Sequence, residues 1–291
     1  MNYQITHNTT YRYSEPASLS QNELFLQPRE TAGQRVAASR IEILPAPHYQ
    51  HQRVDFFGNS VQMFMVQHPH SELQMTAVSE VETRPLPVPR TELTPPWEDV
   101  AATLAQPAGV EDLQACQFLF ASPLISLDEA VTGYARSSFF PGRPILAGAL
   151  DLIGRIFADF RYDKAATTVD TSVAEVLASR KGVCQDFAHL CISGLRGIGL
   201  AARYVSGYLE TIPPPGKEKM VGADASHAWL ALFVPGLGWV DLDPTNNLIP
   251  AERHITLAWG RDYGDVTPVK GVVMGGGVHS LKVTVDVAAR V

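Results

Sequence analysis

The chain has 291 residues, 45% of them hydrophobic and 18% charged, and a formal net charge of −7. This length favours two domains, and the composition is that of a globular protein with a large core. The acidic balance lacks the basic footprint of nucleic-acid binding, and no apolar run approaches the roughly 18 residues of a membrane span. We therefore expect no nucleic-acid or membrane partner. The N-terminus lacks a basic and apolar leader, which predicts a cytoplasmic protein.

Residues 1–83 show the period of two that is typical of half-buried strands. Tyr3 and Ile5 fall on odd positions, and so do Leu73 and Met75. Gly58 and Asn59 lie between two strand-like runs and predict a tight hairpin turn. These patterns predict an N-terminal antiparallel β domain, a sandwich, whose scattered histidines and tyrosines we interpret as surface or packing residues.

Residues 84–96 contain Pro85, Pro87, Pro89, Pro95 and Pro96 and form a predicted extended linker. The remainder, 97–291, is predicted as one domain. It begins with helical patterns at 97–105, 113–120, 126–136 and 144–160, followed by a short helix that Ser172 caps and that ends near Arg180, with Gly182 as its stop. Strand-like runs follow at 202–209, 227–234 and 239–242, with a Pro-rich surface loop at 213–219 and a last alternating strand at 281–287. Helices followed by antiparallel strands indicate an α+β fold.

The run from Lys181 to Leu190 places Cys184 directly behind Gly182 and Val183, at the start of an apolar period of 3.6. This predicts that Cys184 occupies the first turn of a buried helix. Unpaired backbone N–H groups and the helix dipole favour an anion there, and a thiolate is the form of cysteine that attacks a carbonyl carbon. Taken alone, the cysteine is more readily interpreted as a small core residue, and the residues downstream reverse this.

A thiolate nucleophile needs a proton acceptor, and the acceptor needs a group that orients it. His227 begins one predicted strand, within Ala225–Trp229, and Asp243 ends the next, within Trp239–Thr245. A single strand histidine is often structural, and an Asp-Pro pair is often only a turn. The order cysteine, histidine, aspartate on a helix start and two successive strands favours a catalytic triad.

These three segments resemble the papain-like transglutaminase core, in which a helix-start cysteine precedes a histidine before an aromatic residue and an aspartate in a W-x-x-x-D pattern. Residues 1–83 resemble the N-terminal region of bacterial members, and Trp259–Asp265 resembles their C-terminal segment. The resemblance implies an N-terminal antiparallel β-sandwich followed by helices packed on an antiparallel sheet. It implies Cys184 as nucleophile, His227 as general base and then acid, and Asp243 as orienting carboxylate.

The implied activity is that of a thiol-dependent acyl-enzyme hydrolase, a peptidase or amidase acting on an amide or isopeptide bond of a peptide or protein. A cross-linking protein-glutamine acyltransferase and a non-catalytic peptide-binding module on the same fold stay open as alternatives. The oligomeric state is not predicted.

The backbone N–H of Cys184 is a predicted oxyanion donor because it lies at a helix start. Gln185, Asp186 and Ser226 are further candidates for oxyanion or substrate contacts. Asp186 has a structural alternative, electrostatic support of the helix N-terminus. His189 lies about 140° around the helix from Cys184, which predicts a structural role.

A zinc site formed by Cys184, His189, Cys191 and His227 is disfavoured, because this spacing scatters the ligands around a helix and lacks a C-x2-C knuckle. No calcium-loop pattern is present. The sequence therefore predicts no metal and no cofactor.

The connection between the two predicted strands decides whether His227 and Asp243 share a face of the sheet. We predict an odd connection or a bulge between Phe233 and Trp239. The register we expect pairs Leu232 with Gly238, which sets Asp243 directly opposite His227 and Asp241 beside Trp229.

Overall fold

The computed structural model describes residues 1–211 and 225–290. The predicted surface loop at 213–219 lies outside the described residues. Of the helices in the described ranges, none combines the length and hydropathy that a membrane span requires. Helices and antiparallel sheets occur in separate parts of the chain, so the α+β class is confirmed.

The N-terminal region is built around one long strand. The strands are β1 (Asn2–Leu24), β2 (Gln34–Leu44), β3 (Tyr49–Val54), β4 (Ser60–Val66) and β5 (His70–Thr83), in the spatial order β2-β5-β1-β4-β3. The first half of β1 pairs with β5 and the second half with β4, and the β1–β5 register shifts between Arg12 and Ala17. Strand β1 thus runs through both limbs of one antiparallel sheet: β5 and β2 lie beside its first half, and β4 and β3 lie beside its second half.

The two limbs share a hydrophobic core. Phe64 and Val66 of β4 pack in one buried cluster with Leu73 and Met75 of β5. Burying these side chains stabilises the fold by roughly 1.5–3 kcal/mol each. Two limbs that enclose a common core through a strand they share give the sandwich-like, strand-rich region that the alternation predicts.

Helices and short strands form the first part of the second region. These are α1 (Trp97–Ala105), α2 (Val110–Cys116), α3 (Glu129–Arg136), α4 (Ile145–Asp159), β6 (Arg161–Tyr162), α5 (Val173–Ser179), β7 (Lys181–Gly182) and α6 (Cys184–Gly197). Ser172 caps α5 as predicted, since its hydroxyl accepts the Glu175 N–H. The helix ends near Arg180, as predicted: its last residue is Ser179, and Arg180 adopts the left-handed conformation (φ 56°) of a C-cap. Gly182 is not the stop, because it belongs to β7.

The second region continues as a four-stranded antiparallel sheet, here called the core sheet. Its strands are β8 (Ala202–Leu209), β9 (Ala225–Val234), β10 (Gly238–Leu242) and β11 (His254–Gly260), in the order β10-β9-β8-β11. Helix α6 packs on β8 and β9, with Phe187 and Leu190 in the same buried cluster as Leu230 and Leu232. One face of the core sheet therefore supports the cysteine helix.

The last two strands return to the N-terminal sheet. Strand β12 (Val269–Gly275) pairs with the second half of β1, and β13 (His279–Arg290) pairs with its first half. The glycines at 275–277, all at positive φ, connect these two strands. The predicted catalytic domain, 97–291, includes β12 and β13, but both strands hydrogen-bond to β1 of the N-terminal sheet.

Candidate active site

Cys184 is the first residue of α6, as the apolar period predicts. Gly182 precedes it in close contact with the helix: a Cβ there would lie 2.7 Å from an Asp186 carboxylate oxygen, so a side chain at this position would clash. Cys184 is half-buried and lines a cavity of about 280 Å³ together with His227. The free backbone N–H groups of the first helical turn point toward the same end of α6.

His227 and Asp243 are joined by a hydrogen bond of 2.7 Å between Nε2 and Oδ2. The carboxylate is fully buried, and its second oxygen, Oδ1, accepts the backbone N–H groups of Thr245 (2.9 Å) and Asn246 (3.1 Å). The turn after β10 thus fixes one carboxylate oxygen and directs the other at the imidazole. Because Nε2 is engaged, Nδ1 is the ring nitrogen left for proton exchange with a thiol.

His227 and Asp243 each stabilise the charged form of the other. Burial alone would lower the pKa of His227, but its interactions with Asp243 and Cys184 outweigh burial and raise the pKa to about 9. Burial would raise the pKa of Asp243, yet hydrogen bonds from His227 and His254 hold it well below its usual value. The site therefore favours a protonated imidazole beside an ionised carboxylate at neutral pH.

The β9–β10 connection is odd, as predicted, because it consists of Pro235, Gly236 and Leu237. The predicted register is wrong. Leu232 pairs with Val240 and Asp241 with Ala231, and the ladder ends at Leu242. Asp243 lies one residue beyond the ladder and reaches His227 along a diagonal on the same face, not from directly opposite.

Two residues that the sequence did not single out also bind the Asp243 carboxylate. His254, at the start of β11, places Nε2 3.0 Å from Oδ2, and the Asn246 side-chain amide donates to the same oxygen at 2.7 Å. Nothing local in the sequence connects His254 with Asp243, because the contact joins the start of β11 with the turn after β10, and these two strands are not hydrogen-bonded neighbours in the core sheet. Asp243 is therefore held by three side chains.

The N-terminal sheet forms part of the cavity wall. His7, Thr9 and Tyr11 of β1 line the cavity, with Leu281 and Val283 of the neighbouring β13. His7 is buried, its Nδ1 lies 2.8 Å from the Tyr208 hydroxyl, and burial lowers its pKa to about 4. His7 and Tyr11, which the sequence suggests are surface or packing residues, thus also form part of the cavity wall.

The three oxyanion or substrate candidates occupy different environments. Gln185 and Ser226 line the cavity, and the Gln185 side-chain amide lies 3.4 Å from the carbonyl of Val169. Asp186 is buried and accepts the Val183 N–H at 2.7 Å and the Thr167 hydroxyl at 2.6 Å. These contacts favour the structural interpretation of Asp186, in which its carboxylate caps the N-terminus of α6.

The disfavoured zinc ligands do not form a cluster in the described residues. His189 is buried, its Nε2 accepts the Tyr263 N–H at 3.2 Å, and burial lowers its pKa to about 4. The ligand atoms that do lie within 4.8 Å of one another belong to His227, Asp243 and His254. Both imidazoles bond directly to the carboxylate, so hydrogen bonding accounts for this cluster.

We expect iodoacetamide to label Cys184 much faster than the other two cysteines at neutral pH. Cys191 is fully buried, and burial raises its pKa strongly; burial, with the charge of Asp112, also raises the pKa of Cys116. Both thiols are therefore poor nucleophiles. Peptide mass mapping after a short exposure measures the three sites at once. Faster labelling of Cys116 or Cys191 would contradict this assignment.

A cysteine at a helix start, with a histidine and an aspartate from an antiparallel sheet nearby, is the arrangement found in papain-like cysteine-dependent enzymes. The fold agrees with a solved structure of a candidate cysteine protease from Cytophaga hutchinsonii, with a TM-score of 0.77 at 21% identity over 99% of this chain and 90% of that one. At this identity the likeness concerns the fold.

Sequence comparison gives the family. Residues 140–244 match the transglutaminase-like superfamily, and residues 3–82 match the bacterial transglutaminase-like N-terminal region. An uncharacterized protein of Mycobacterium tuberculosis is 42% identical over 98% of this chain and 92% of its own length. A protein-glutamine gamma-glutamyltransferase of Pseudomonas aeruginosa is 34% identical over 73 residues, 25% of this chain and 11% of that protein. The chain belongs to the bacterial transglutaminase-like family.

Proposed function

We propose that the protein is an acyl-enzyme hydrolase that cleaves an amide or isopeptide bond of a peptide or protein with Cys184, His227 and Asp243. The observation that supports this most is the 2.7 Å bond between the buried Asp243 carboxylate and His227, at a cavity that Cys184 also lines. A helix-start thiol, an imidazole and an orienting carboxylate are the groups that acyl transfer through a thioester needs.

In the first half of the proposed reaction, the Cys184 thiolate attacks the carbonyl carbon of the substrate. The carbonyl oxygen becomes an oxyanion, which the N–H groups at the start of α6 stabilise. The His227 imidazolium then donates its proton to the leaving nitrogen, the C–N bond breaks, and the acyl group stays on sulfur as a thioester.

In the second half, His227 is neutral and acts as a base. It accepts a proton from water, the resulting hydroxide attacks the thioester, and the C–S bond breaks to release the carboxylic acid and the Cys184 thiolate. Asp243 stays ionised throughout, because its role is to hold the imidazole orientation and to stabilise its positive charge.

Water is favoured over an amine as the second substrate by the charges of the cavity. None of the described residues that line it is an aspartate or glutamate. A lysine side chain arriving as an ammonium ion finds no counter-charge there, and desolvating an unpaired ammonium ion is costly. Water has no such requirement, so the thioester is expected to be hydrolysed.

A protein-glutamine acyltransferase is the second candidate, and the name of the Pseudomonas aeruginosa relative favours it. Its chemistry is identical up to the thioester, after which an amine takes the place of water. The two candidates therefore differ only in what reaches the acyl carbon.

We expect casein treated with this protein in the presence of a labelled primary amine to lose amide groups mainly to water. Released ammonia and new peptide ends measure hydrolysis, and incorporated label measures transfer. Cys184→Ala is the control and should show neither. Incorporation that exceeds hydrolysis in the wild type and vanishes in Cys184→Ala would decide for the acyltransferase. Unchanged hydrolysis in that variant would contradict both candidates.

A further inference from the structure

A second and larger cavity lies on the face of the core sheet that is turned away from α6. It measures about 580 Å³, within the range of small-molecule sites. Its walls come from the linker at 86–89, from β8, β10 and β11 of the core sheet, and from residues 249–251. None of the three proposed catalytic residues lines it, so it is a separate feature of the molecule.

Arg203 of β8 is the most unusual residue in this cavity. Its side chain is 8% exposed, and its guanidinium stacks between two indole rings, 4.3 Å from the centre of Trp239 and 3.7 Å from the centre of Trp259. Its Nε is buried and has no hydrogen-bond partner among the described residues. Stacking satisfies the faces of the guanidinium and leaves its in-plane N–H donors for a ligand.

Arg29 also stacks on Trp259 and also has a buried Nε without a hydrogen-bond partner among the described residues, but it differs from Arg203 at its terminal nitrogens. Its guanidinium lies 3.5 Å from the centre of the same Trp259 ring, but its Nη1 donates to Asn59 Oδ1 at 2.5 Å and to the Phe57 carbonyl at 3.2 Å. Nη1 of Arg29 thus has protein acceptors, whereas Arg203 lines the cavity with no hydrogen bond from its guanidinium to another described residue. Burying a cation in this way is costly unless an anion pairs with it.

The opposite charge in the cavity is Asp241 of β10. Arg203 and Asp241 are both in register with Ala231 of the intervening strand β9, so they flank a small side chain on one face of the sheet. Burial raises the pKa of Asp241 and lowers that of Arg203, the charge of each opposes the shift of the other, and no ion pair within 4 Å joins the two side chains. The cavity therefore presents a positive and a negative group that a ligand can bridge.

The remaining walls are mainly apolar. They are formed by Leu86, Pro87, Val88, Leu237, Ile249 and Pro250. An apolar body placed against them removes hydrocarbon surface from water, which supplies affinity, whereas the two charged groups supply orientation.

We propose that this cavity is a binding site for a small apolar zwitterion, with a carboxylate on Arg203, an ammonium on Asp241 and a hydrocarbon body against the apolar wall. This is the chemical form of a free apolar amino acid. A zwitterion pairs both charges, whereas a simple acid or amine leaves one of them opposed by a like charge. The planar donor fork of Arg203 matches a carboxylate in two-point contact.

The test is isothermal titration calorimetry of the full chain with L-phenylalanine, 3-phenylpropionate and 2-phenylethylamine. L-Phenylalanine should bind most tightly. Arg203→Gln should weaken its binding by about 10- to 100-fold, the usual effect of losing charge-assisted hydrogen bonds. Asp241→Asn should weaken L-phenylalanine and strengthen 3-phenylpropionate, because the amine partner is lost and an opposing carboxylate is removed.

Two controls keep the result specific. Arg12→Gln removes an exposed arginine of β1 that pairs with Glu72 and does not line the cavity, and it should leave the affinity unchanged. Cys184→Ala should bind like the wild type, so the outcome does not depend on the proposed catalytic activity. Circular dichroism melts establish that each variant is folded. No heat with L-phenylalanine, equal affinity for 2-phenylethylamine, or a folded Arg203→Gln variant that binds as tightly as the wild type would overturn the proposal.

Discussion

Replacing Cys184 with alanine should reduce amide hydrolysis by on the order of 10⁴-fold or more, because the variant cannot form a thioester. The residual reaction would have to use water directly, with only binding and the oxyanion donors to assist it. Cys184 is half-buried at the first position of α6, so alanine removes the sulfur without opening a cavity in the core. The melting temperature should therefore change little.

Cys116→Ala is the matched control for this variant. Cys116 is also half-buried in a helix, but its thiol donates to the Leu104 carbonyl at 3.3 Å, far from the cavity that Cys184 lines. It should retain wild-type hydrolysis of casein. Loss of activity in Cys116→Ala, or its retention in Cys184→Ala, would contradict the assignment of the nucleophile.

Replacing Asp243 with asparagine should lower kcat/KM for the same reaction by on the order of 10³-fold. The amide has nearly the shape of the carboxylate, but it carries no charge to stabilise the His227 imidazolium. The hydrogen bonds from the imidazoles of His227 and His254 also weaken, because the carboxylate accepts them as charge-assisted bonds and a neutral amide does not. The His227 ring then loses its fixed orientation.

The pH profile separates this role from simple loss of stability. Proton donation to the leaving nitrogen requires the imidazolium, so wild-type activity should fall as the pH rises through about 9, the pKa of His227. Without the Asp243 charge, burial of the ring dominates, and the alkaline limb should move to lower pH. A profile of kcat/KM against pH for both proteins measures this shift, and an unmoved limb would contradict the role of Asp243.

Asp241→Asn is the control for Asp243→Asn. Both residues lie on the same face, two positions apart, and alternation alone does not distinguish them as partners of His227. Asp241 pairs in register with Ala231, whereas Asp243 makes the bond to the imidazole. Asp241→Asn should keep both the rate and the alkaline limb of the wild type.

The cysteine helix could be predicted from the sequence because its evidence is local. An apolar period of 3.6 begins at Cys184, and the glycine two residues before it is required by contact with Asp186. The strand that carries His227 and the strand that Asp243 follows are predicted for the same reason, and the odd connection between them follows from the alternation of faces if His227 and Asp243 share a face. Local periodicity determines which residues share a helix or a strand.

The other features of the fold and the site depend on the pairing of strands that are far apart in the chain, which leaves no local pattern in the sequence. His254 bonds to Asp243 although β11 and β10 are not neighbours in the core sheet, and His7 lines the cavity from β1, more than 170 positions before Cys184. The return of β12 and β13 to β1 joins residues that are more than 240 positions apart in the chain. The register also escaped prediction, since shifting the ladder by two residues preserves every facing relationship.

Detection of the thioester tests most directly whether Cys184 is the nucleophile of an acyl-enzyme reaction. The wild-type protein is mixed with casein peptides, quenched in acid within a single turnover, digested and analysed by mass spectrometry. We expect an acyl group on Cys184 that disappears as the free acid forms, and that accumulates in Asp243→Asn if deacylation is slowed more than acylation. Amide cleavage without any acylated Cys184, or an acyl group on Cys116 or Cys191 instead, would contradict it.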